Sequence, residues 1–228
     1  EMTSSLVGSE MCIRDRIYEG EITLGFSTTT EDRSGEIVEK KAVDRPLTEA
    51  EIDRVMAAFI GKIKQIPPMY SAVKVNGKRL YEYARAGETV DRPEREAEIE
   101  SFKRTTAPIY NEEAKTQSWR FQVTCGKGTY VRTLAVDLGA KLDYPAHMSD
   151  LTRLASGGFS VGQAVTLSQV SELMEKGQIN QALQPIEEAM KEFPRIDLTD
   201  ADWQKVKNGQ VLSCLLYTSP SPRDSTSS

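Results

Sequence analysis

Between residues 17 and 26 (IYEGEITLGF) apolar and polar positions partly alternate and β-branched and aromatic side chains recur, which predicts a strand. Residues 36–43 resemble a second strand after a turn at Gly35, so a hairpin-like pair opens the chain. The period then lengthens. Thr48 and Glu51 form a capping-box pattern ahead of Ile52, Val55, Met56, Phe59 and Ile63, which fall on one side of a helix. Pro67-Pro68 stops that helix; residues 71–75 read as extended, Asn76-Gly77 as a turn, and residues 78–86 as a helix closed by Gly87. Further strands are predicted at 97–104 and 118–125. After Gly126-Lys127-Gly128 a helix spans 130–142, with Val131, Leu134, Ala135, Leu138 and Leu142 as its stripe and Arg132 off the stripe's centre. His147 falls in a loop. Shorter helices follow at 167–176 and 186–191, and the pattern restarts at Phe193-Pro194 with a strand-like Ile196-Asp197-Leu198 and a helix from Thr199. Strands and helices without regular β-α-β alternation predict an α+β fold with a mixed, mainly antiparallel sheet flanked by helices.

Composition narrows the function classes. The 228 residues are 39% hydrophobic and 28% charged, as in an ordinary globular protein, and no run approaches the ~18 apolar residues of a membrane span. Cys12, Cys125 and Cys214 are far apart and match no metal-ligand spacing, which fits a reducing, cytoplasmic setting. His147 is the only histidine, which excludes His-pair zinc sites. The net charge of −5 argues mildly against a nucleic-acid binder. Two basic blocks nevertheless stand out: Lys62, Lys64, Lys74, Lys78, Arg79 and Arg85 against Glu82 alone, and Lys115, Arg120, Lys127 and Arg132 with no acid between 115 and 136. By themselves such runs are more often solvated faces than RNA sites. The ends differ again. Residues 1–16 (EMTSSLVGSEMCIRDR) and 213–228 (SCLLYTSPSPRDSTSS) are aperiodic and Ser/Thr-rich, resemble translated sequencing-adaptor DNA, and are expected to be additions with no part in the fold.

Three segments carry a family resemblance. Residues 17–38 (IYEGEITLGFSTTTEDRSGEIV) resemble the x-Y-x-x-x-x-x-L-G-x-x-T-x-T-x-D-x-x-G-x-I-x stretch of bacterial TruB-type tRNA pseudouridine synthases. Residues 65–85 (QIPPMYSAVKVNGKRLYEYAR) look like that family's thumb insertion, which closes over the T arm of tRNA; the insertion is placed at about 62–92. Residues 125–154 (CGKGTYVRTLAVDLGAKLDYPAHMSDLTRL) resemble its G-T-Y-[IV]-R-[ST]-L motif and the A-H-x-x-x-L-x-R-x segment that follows. The resemblance implies a pseudouridine synthase catalytic domain over 17–192, incomplete at its N-terminus, and the start of a C-terminal RNA-binding domain over 193–212. The family's G-H-T-G-x-L-D-P-x-A-x-G segment, which holds the nucleophilic aspartate, has no match in residues 1–16, so the chain as written is expected to be inactive and, lacking its first strands, to expose a sheet edge and core residues and to be poorly soluble or molten.

The same resemblance implies the chemistry. Isomerising the T-loop uridine at position 55 requires the base to be flipped out of the stack. Tyr18 would stack on it and take the C5 proton, Tyr130 and Leu151 would line the pocket, and Arg132 would pair with the nucleophilic aspartate. Without that aspartate, Arg132 would be a charge with no carboxylate. Asp32 falls in a turn and is given no catalytic role. Lys64, Lys74, Lys78, Arg79, Arg85 and Lys127 are the RNA-contact candidates. No metal, organic cofactor or membrane is implied, and a monomer acting on tRNA is expected. Read without the resemblance, Tyr18 would be a half-buried sheet residue, Arg132 a surface helix arginine, Leu151 core, and His147 a hydrogen-bonded structural residue. Trp119 and Trp203 would be core or interdomain packing, and Cys125 a small buried residue. The alternative from another class is a non-catalytic tRNA-binding or RNA-folding module.

Overall fold

The computed structural model describes residues 16–190 and 197–210. The adaptor-like ends apart from Arg16, the junction at Phe193-Pro194 and Ile196 lie outside them; Arg16, expected to be part of an addition with no place in the fold, instead begins the first strand and pairs with Cys125 and Ser156. By contact density the chain divides into two units, ending and beginning at Gln169 and Val170.

The first unit is built on a seven-stranded sheet whose described ladders are all antiparallel. Its strands are β1 (Arg16–Leu24), β4 (Gly61–Gln65), β7 (Arg95–Arg104), β8 (Ile109–Asn111), β9 (Thr116–Cys125), β10 (Ala146–Ser156) and β11 (Phe159–Ser160). They run in the order β11-β10-β1-β9-β7-β4, with β8 added to β9. Two ribbons stand apart: β2 (Phe26–Thr28) with β3 (Ile37–Lys40), and β5 (Lys74–Val75) with β6 (Lys78–Arg79). The alternation in β1 and β9 puts Ile22, Leu24, Trp119, Phe121, Val123 and Cys125 on one face, each at most 1% exposed.

Two helices cover that face. In α1 (Glu49–Ala57) Thr48 and Glu51 close the predicted capping box, and Ile52 and Met56 turn inward. In α3 (Val131–Lys141) Val131, Leu134, Ala135 and Leu138 are buried. At Gly139 a Cβ would lie 2.4 Å from that of Ala146, so the helix rests directly on the start of β10. Phe59, Phe102 and Phe121 meet edge to face, with centroids 6.4 and 5.4 Å apart. Arg104 bolts α1 to β7 through Asp53 and Glu49. Gln117, 2% exposed, uses its amide to hold both the N–H and the C=O of Leu47, at 2.8 and 2.9 Å. Among the described residues β4 and β11 end the sheet, as an exposed edge was expected to, and the residues under the sheet gather into one buried cluster.

Three elements differ from the sequence pattern. The first helix ends at Ala57, because Gly61 adopts φ 99° and turns the chain into β4, so Ile63 is a strand residue rather than the end of a helical stripe. The segment containing His147 is strand β10 rather than a loop: alternation covers only part of AHMSDLTRLAS, and register shifts in its pairing with β1 break the period. Lys78–Arg79 pair with Lys74–Val75 before α2 (Leu80–Ala86) begins.

The second unit continues α4 (Leu167–Glu175) into short 3₁₀ turns at Ile179–Gln181 and Ile186–Met190 and into α5 (Asp200–Lys207), capped by the Thr199 side chain. Trp203 is 53% exposed instead of packed.

Candidate active site

The loop between β2 and β3 is held against β10 by its backbone. Met148 donates its N–H to Glu31 O at 2.9 Å and Arg33 donates to Met148 O at 3.2 Å. Glu31 takes a left-handed conformation, φ 63°, uncommon for a residue with a side chain. Asp32, at the loop tip, accepts from the Thr30 hydroxyl at 2.7 Å, from the Ser34 N–H at 2.9 Å and from the Ser34 hydroxyl.

Arg132, in the first turn of α3, reaches this loop. Its Nη1 donates to Asp32 Oδ2 at 2.8 Å and to Thr30 O at 3.0 Å, and its Nη2 to Tyr70 O at 3.2 Å. Arg132 is therefore not a charge without a carboxylate: Asp32 is its partner. Burial works to raise the Asp32 pKa, but the hydrogen bonds from Ser34, Thr30 and Arg132 outweigh it and bring it down to about 2. Beside it, burial pushes the Glu31 carboxyl up, against the lowering effects of a 2.7 Å hydrogen bond from Thr133 and of the Arg132 charge.

Arg132, Asp32, Met148 and Leu151 line one cleft of about 330 Å³. Leu151, on β10 opposite Gly20, is 37% exposed rather than core. Tyr18 is not in the wall of this cleft. It lies a step away on β1, opposite Arg153, whose guanidinium sits 5.6 Å over the Tyr18 ring. At Gly20, between Tyr18 and Ile22, a Cβ would come within 2.4 Å of Asp150 O, so the two strands approach more closely there than a side chain would allow.

Tyr130 is the N-cap residue of α3 and gives it no side-chain cap. Its backbone is instead held by Gln65, the last residue of β4 and 2% exposed. Tyr130 N–H donates to Gln65 Oε1 at 3.0 Å and Gln65 Nε2 donates to Tyr130 O at 3.2 Å. Asp32, Glu31 and Gln65 are the residues that sequence reasoning passed over. Asp32 and Glu31 look like turn residues until α3 is folded against them. Gln65 carries no signal beyond its place at the head of the Q-I-P-P stretch.

The basic candidates are spread over the surface. Lys78 pairs with Glu88 at 3.0 Å and lies 4.7 Å over the Tyr83 ring, while Arg79 and Arg85 flank the Tyr81 ring at 5.8 and 5.4 Å. Lys64 is paired with Glu94 at 3.2 Å on the open edge strand. Lys74 and Lys127 are exposed. His147 is buried in β10 with Nδ1 3.1 Å from Phe26 O and its ring 4.2 Å from the Phe26 ring, a structural role. Cys125 is buried and Trp119 is core, as expected. Among the described residues no His, Cys, Asp and Glu cluster could hold a metal, and no helix is long and apolar enough to cross a membrane.

Solved structures share this fold. A Cbf5-Nop10-Gar1 complex matches with a TM-score of 0.61 at 23% identity over 90% of this chain and 52% of that one. An H/ACA ribonucleoprotein bound to a substrate RNA containing 2′-deoxyuridine matches with a TM-score of 0.60 at 20% identity over 92% and 52%. The architecture, α+β with a mainly antiparallel sheet, is shared with these structures. The sequence makes the assignment narrower. The profile for the N-terminal domain of TruB family pseudouridylate synthases matches residues 7–131, and that for the tRNA pseudouridylate synthase B C-terminal domain matches residues 132–191. The chain belongs to the TruB family. The tRNA pseudouridine synthase B of Ligilactobacillus salivarius is 54% identical over 198 residues, covering 87% of this chain and 66% of that protein. Those of Lactococcus lactis subsp. lactis and Halalkalibacterium halodurans are 56% and 53% identical, covering 86% and 90% of this chain. The chain spans 59–67% of the length of these three relatives.

Proposed function

We propose that the protein isomerises the T-loop uridine at position 55 of tRNA to pseudouridine. The C1′–N1 bond breaks, a C1′–C5 bond forms, C5 gives up its proton and N1 gains one, so the atoms balance without a cofactor. Tyr18 stacks on the flipped base and receives the C5 proton; Tyr130 and Leu151 bound the pocket; Arg132 orients a carboxylate. The observation that carries this reading is the placement of Arg132 and Leu151 on one cleft, with Tyr18 a step along the same pair of strands. Asp32 is not proposed as the nucleophile: it lies downstream of Tyr18, in the turn between β2 and β3, whereas the family's aspartate segment precedes that tyrosine. The nucleophilic aspartate is that of the G-H-T-G-x-L-D-P type segment of the family, and Arg132 is the group that holds it. The basic segment at about 62–92 and the residues after 193 grip the T arm, and the protein acts as a cytoplasmic monomer.

The test is tritium release from [5-³H]uridine-labelled, unmodified tRNA transcript. Fused to the aspartate-bearing segment of a relative, this chain is expected to bind the transcript and to release tritium from position 55. Binding without release by the fusion would leave the non-catalytic RNA module, which the aromatic-stacked cations Lys78, Arg79 and Arg85 favour. Absence of binding would end both readings.

A further inference from the structure

Two buried glutamines in this fold do the same thing in different places. Gln117 brackets the backbone of Leu47, away from the cleft, and Gln65 brackets that of Tyr130, the residue that opens α3. A buried side-chain amide is costly to leave without a partner, so each clamp fixes the peptide it holds. Gln65 also starts a ribbon. The next residues include Pro67-Pro68, whose rings fix their own φ angles and constrain the residue before each. Pro67 O accepts from Arg92 Nη1 at 3.1 Å, and Tyr70 O accepts from Arg132 Nη2. Beyond Tyr70, Ser71 O accepts from Tyr81 N–H and Val73 O from Leu80 N–H, so the first turn of α2, with the basic residues around it, hangs from the far end of the same ribbon.

One short stretch thus touches Tyr130 at one end and Arg132 midway, and carries the Lys78, Arg79 and Arg85 segment at the other. We propose that Gln65 is a positioning residue that couples engagement of RNA by the basic segment to the placement of Tyr130 and Arg132 in the uridine pocket. It touches no reacting atom; it acts through the Tyr130 peptide. The inference rests on the reading of the cleft as a uridine site. It adds that the pocket is set from β4 through the ribbon, so that a cation binding phosphate on α2 and the pocket residues on α3 move together.

The test uses the full chain and a T-arm stem-loop RNA with 5-fluorouridine at the target position, read by ¹⁹F NMR for the base and by fluorescence anisotropy for affinity. The wild-type chain is expected to shift the ¹⁹F resonance on binding. Gln65→Ala is expected to bind within about threefold of wild type, because its phosphate-binding cations are intact, yet to leave the resonance at its free position. Gln65→Glu, which can still accept from Tyr130 N–H but cannot donate to Tyr130 O, is expected to give an intermediate shift and covers the case in which the alanine variant does not fold. Gln117→Ala removes an equivalent clamp remote from the cleft; it is expected to lower the urea midpoint as much as Gln65→Ala while keeping the wild-type ¹⁹F shift. A wild-type ¹⁹F shift in Gln65→Ala, or its loss in Gln117→Ala as well, overturns the coupling. A wild-type chain that binds the RNA without any ¹⁹F shift overturns the uridine-pocket reading itself, and the coupling with it.

Discussion

Replacing Asp32 by asparagine keeps the shape of the β2–β3 loop and removes the charge that faces Arg132. The size of the effect follows from the ionisation of Asp32. Its pKa is about 2 in the fold against an ordinary 3.8, and at about 1.4 kcal/mol per unit the ionised form stabilises the fold by at most about 2.5 kcal/mol. The side chain is 27% exposed, so water screens part of this, and about 1–2 kcal/mol is expected. Because the folded value lies below the unfolded one, the stabilisation is complete well above 3.8 and drains away as pH falls towards 2, with about half gone by pH 3. Urea unfolding followed by the fluorescence of buried Trp119 should therefore show a gap between wild type and Asp32→Asn at pH 7 and pH 5 that narrows at pH 3. A gap below about 0.5 kcal/mol at pH 7, or one that is the same size at pH 3, would refute the account of Asp32 as the ionised partner of Arg132.

Gly20→Ala places a methyl group 2.4 Å from Asp150 O and is expected to cost about 2–3 kcal/mol, measurable as a lowered urea midpoint. Lys78→Ala and Arg79→Ala are expected to weaken binding to a T-arm RNA and to reduce the slope of log affinity against log salt by about one for each phosphate contact removed; an unchanged slope would take these cations out of the interface. His147 is buried, and burial holds its pKa below 6.5. The wild-type midpoint should therefore fall as pH drops below 6.5, because the unfolded chain takes up the proton first, and His147→Gln should lose that dependence.

The sequence announced this site unevenly. Periodicity found α1 and α3 because their buried positions are apolar and evenly spaced. It missed β10, where Ala146, His147 and Met148 are all buried in succession and Leu151 is exposed at the cleft, a pattern with no clean period of two. Tyr18, Tyr130, Arg132 and Leu151 drew notice because they sit inside long motifs; the structure brings Arg132 and Leu151 to one cleft and leaves Tyr18 and Tyr130 out of its wall. Their supports drew no such notice. Asp32 and Glu31 earn their roles only when α3 arrives from a hundred residues away, at the 2.8 Å contact with Arg132 and the 2.7 Å contact with Thr133. Gln65 is a polar residue buried by tertiary packing, and nothing local distinguishes it from a solvated glutamine. Ile63 was misassigned for a related reason: Gly61 in a left-handed conformation ends one period and starts another within four residues of Ala57.

The central place of β1 in the sheet has a kinetic side. Both of its neighbours come late in the chain: Arg16 pairs with Cys125 and with Ser156, and the hydroxyls of Thr23 and Ser149 meet across 126 residues. On a ribosome adding about 5–20 residues per second, β1 waits on the order of ten seconds for its second partner. Throughout that interval an alternating strand is in solution with both edges open, the kind of segment that pairs with a neighbouring chain. The glutamates at positions 19 and 21 and the glycine at 20 keep that strand polar on one face and weak in sheet propensity while it waits. Folding of this unit should thus be slow and dominated by non-local closure, and sensitive to anything that delays β9 and β10.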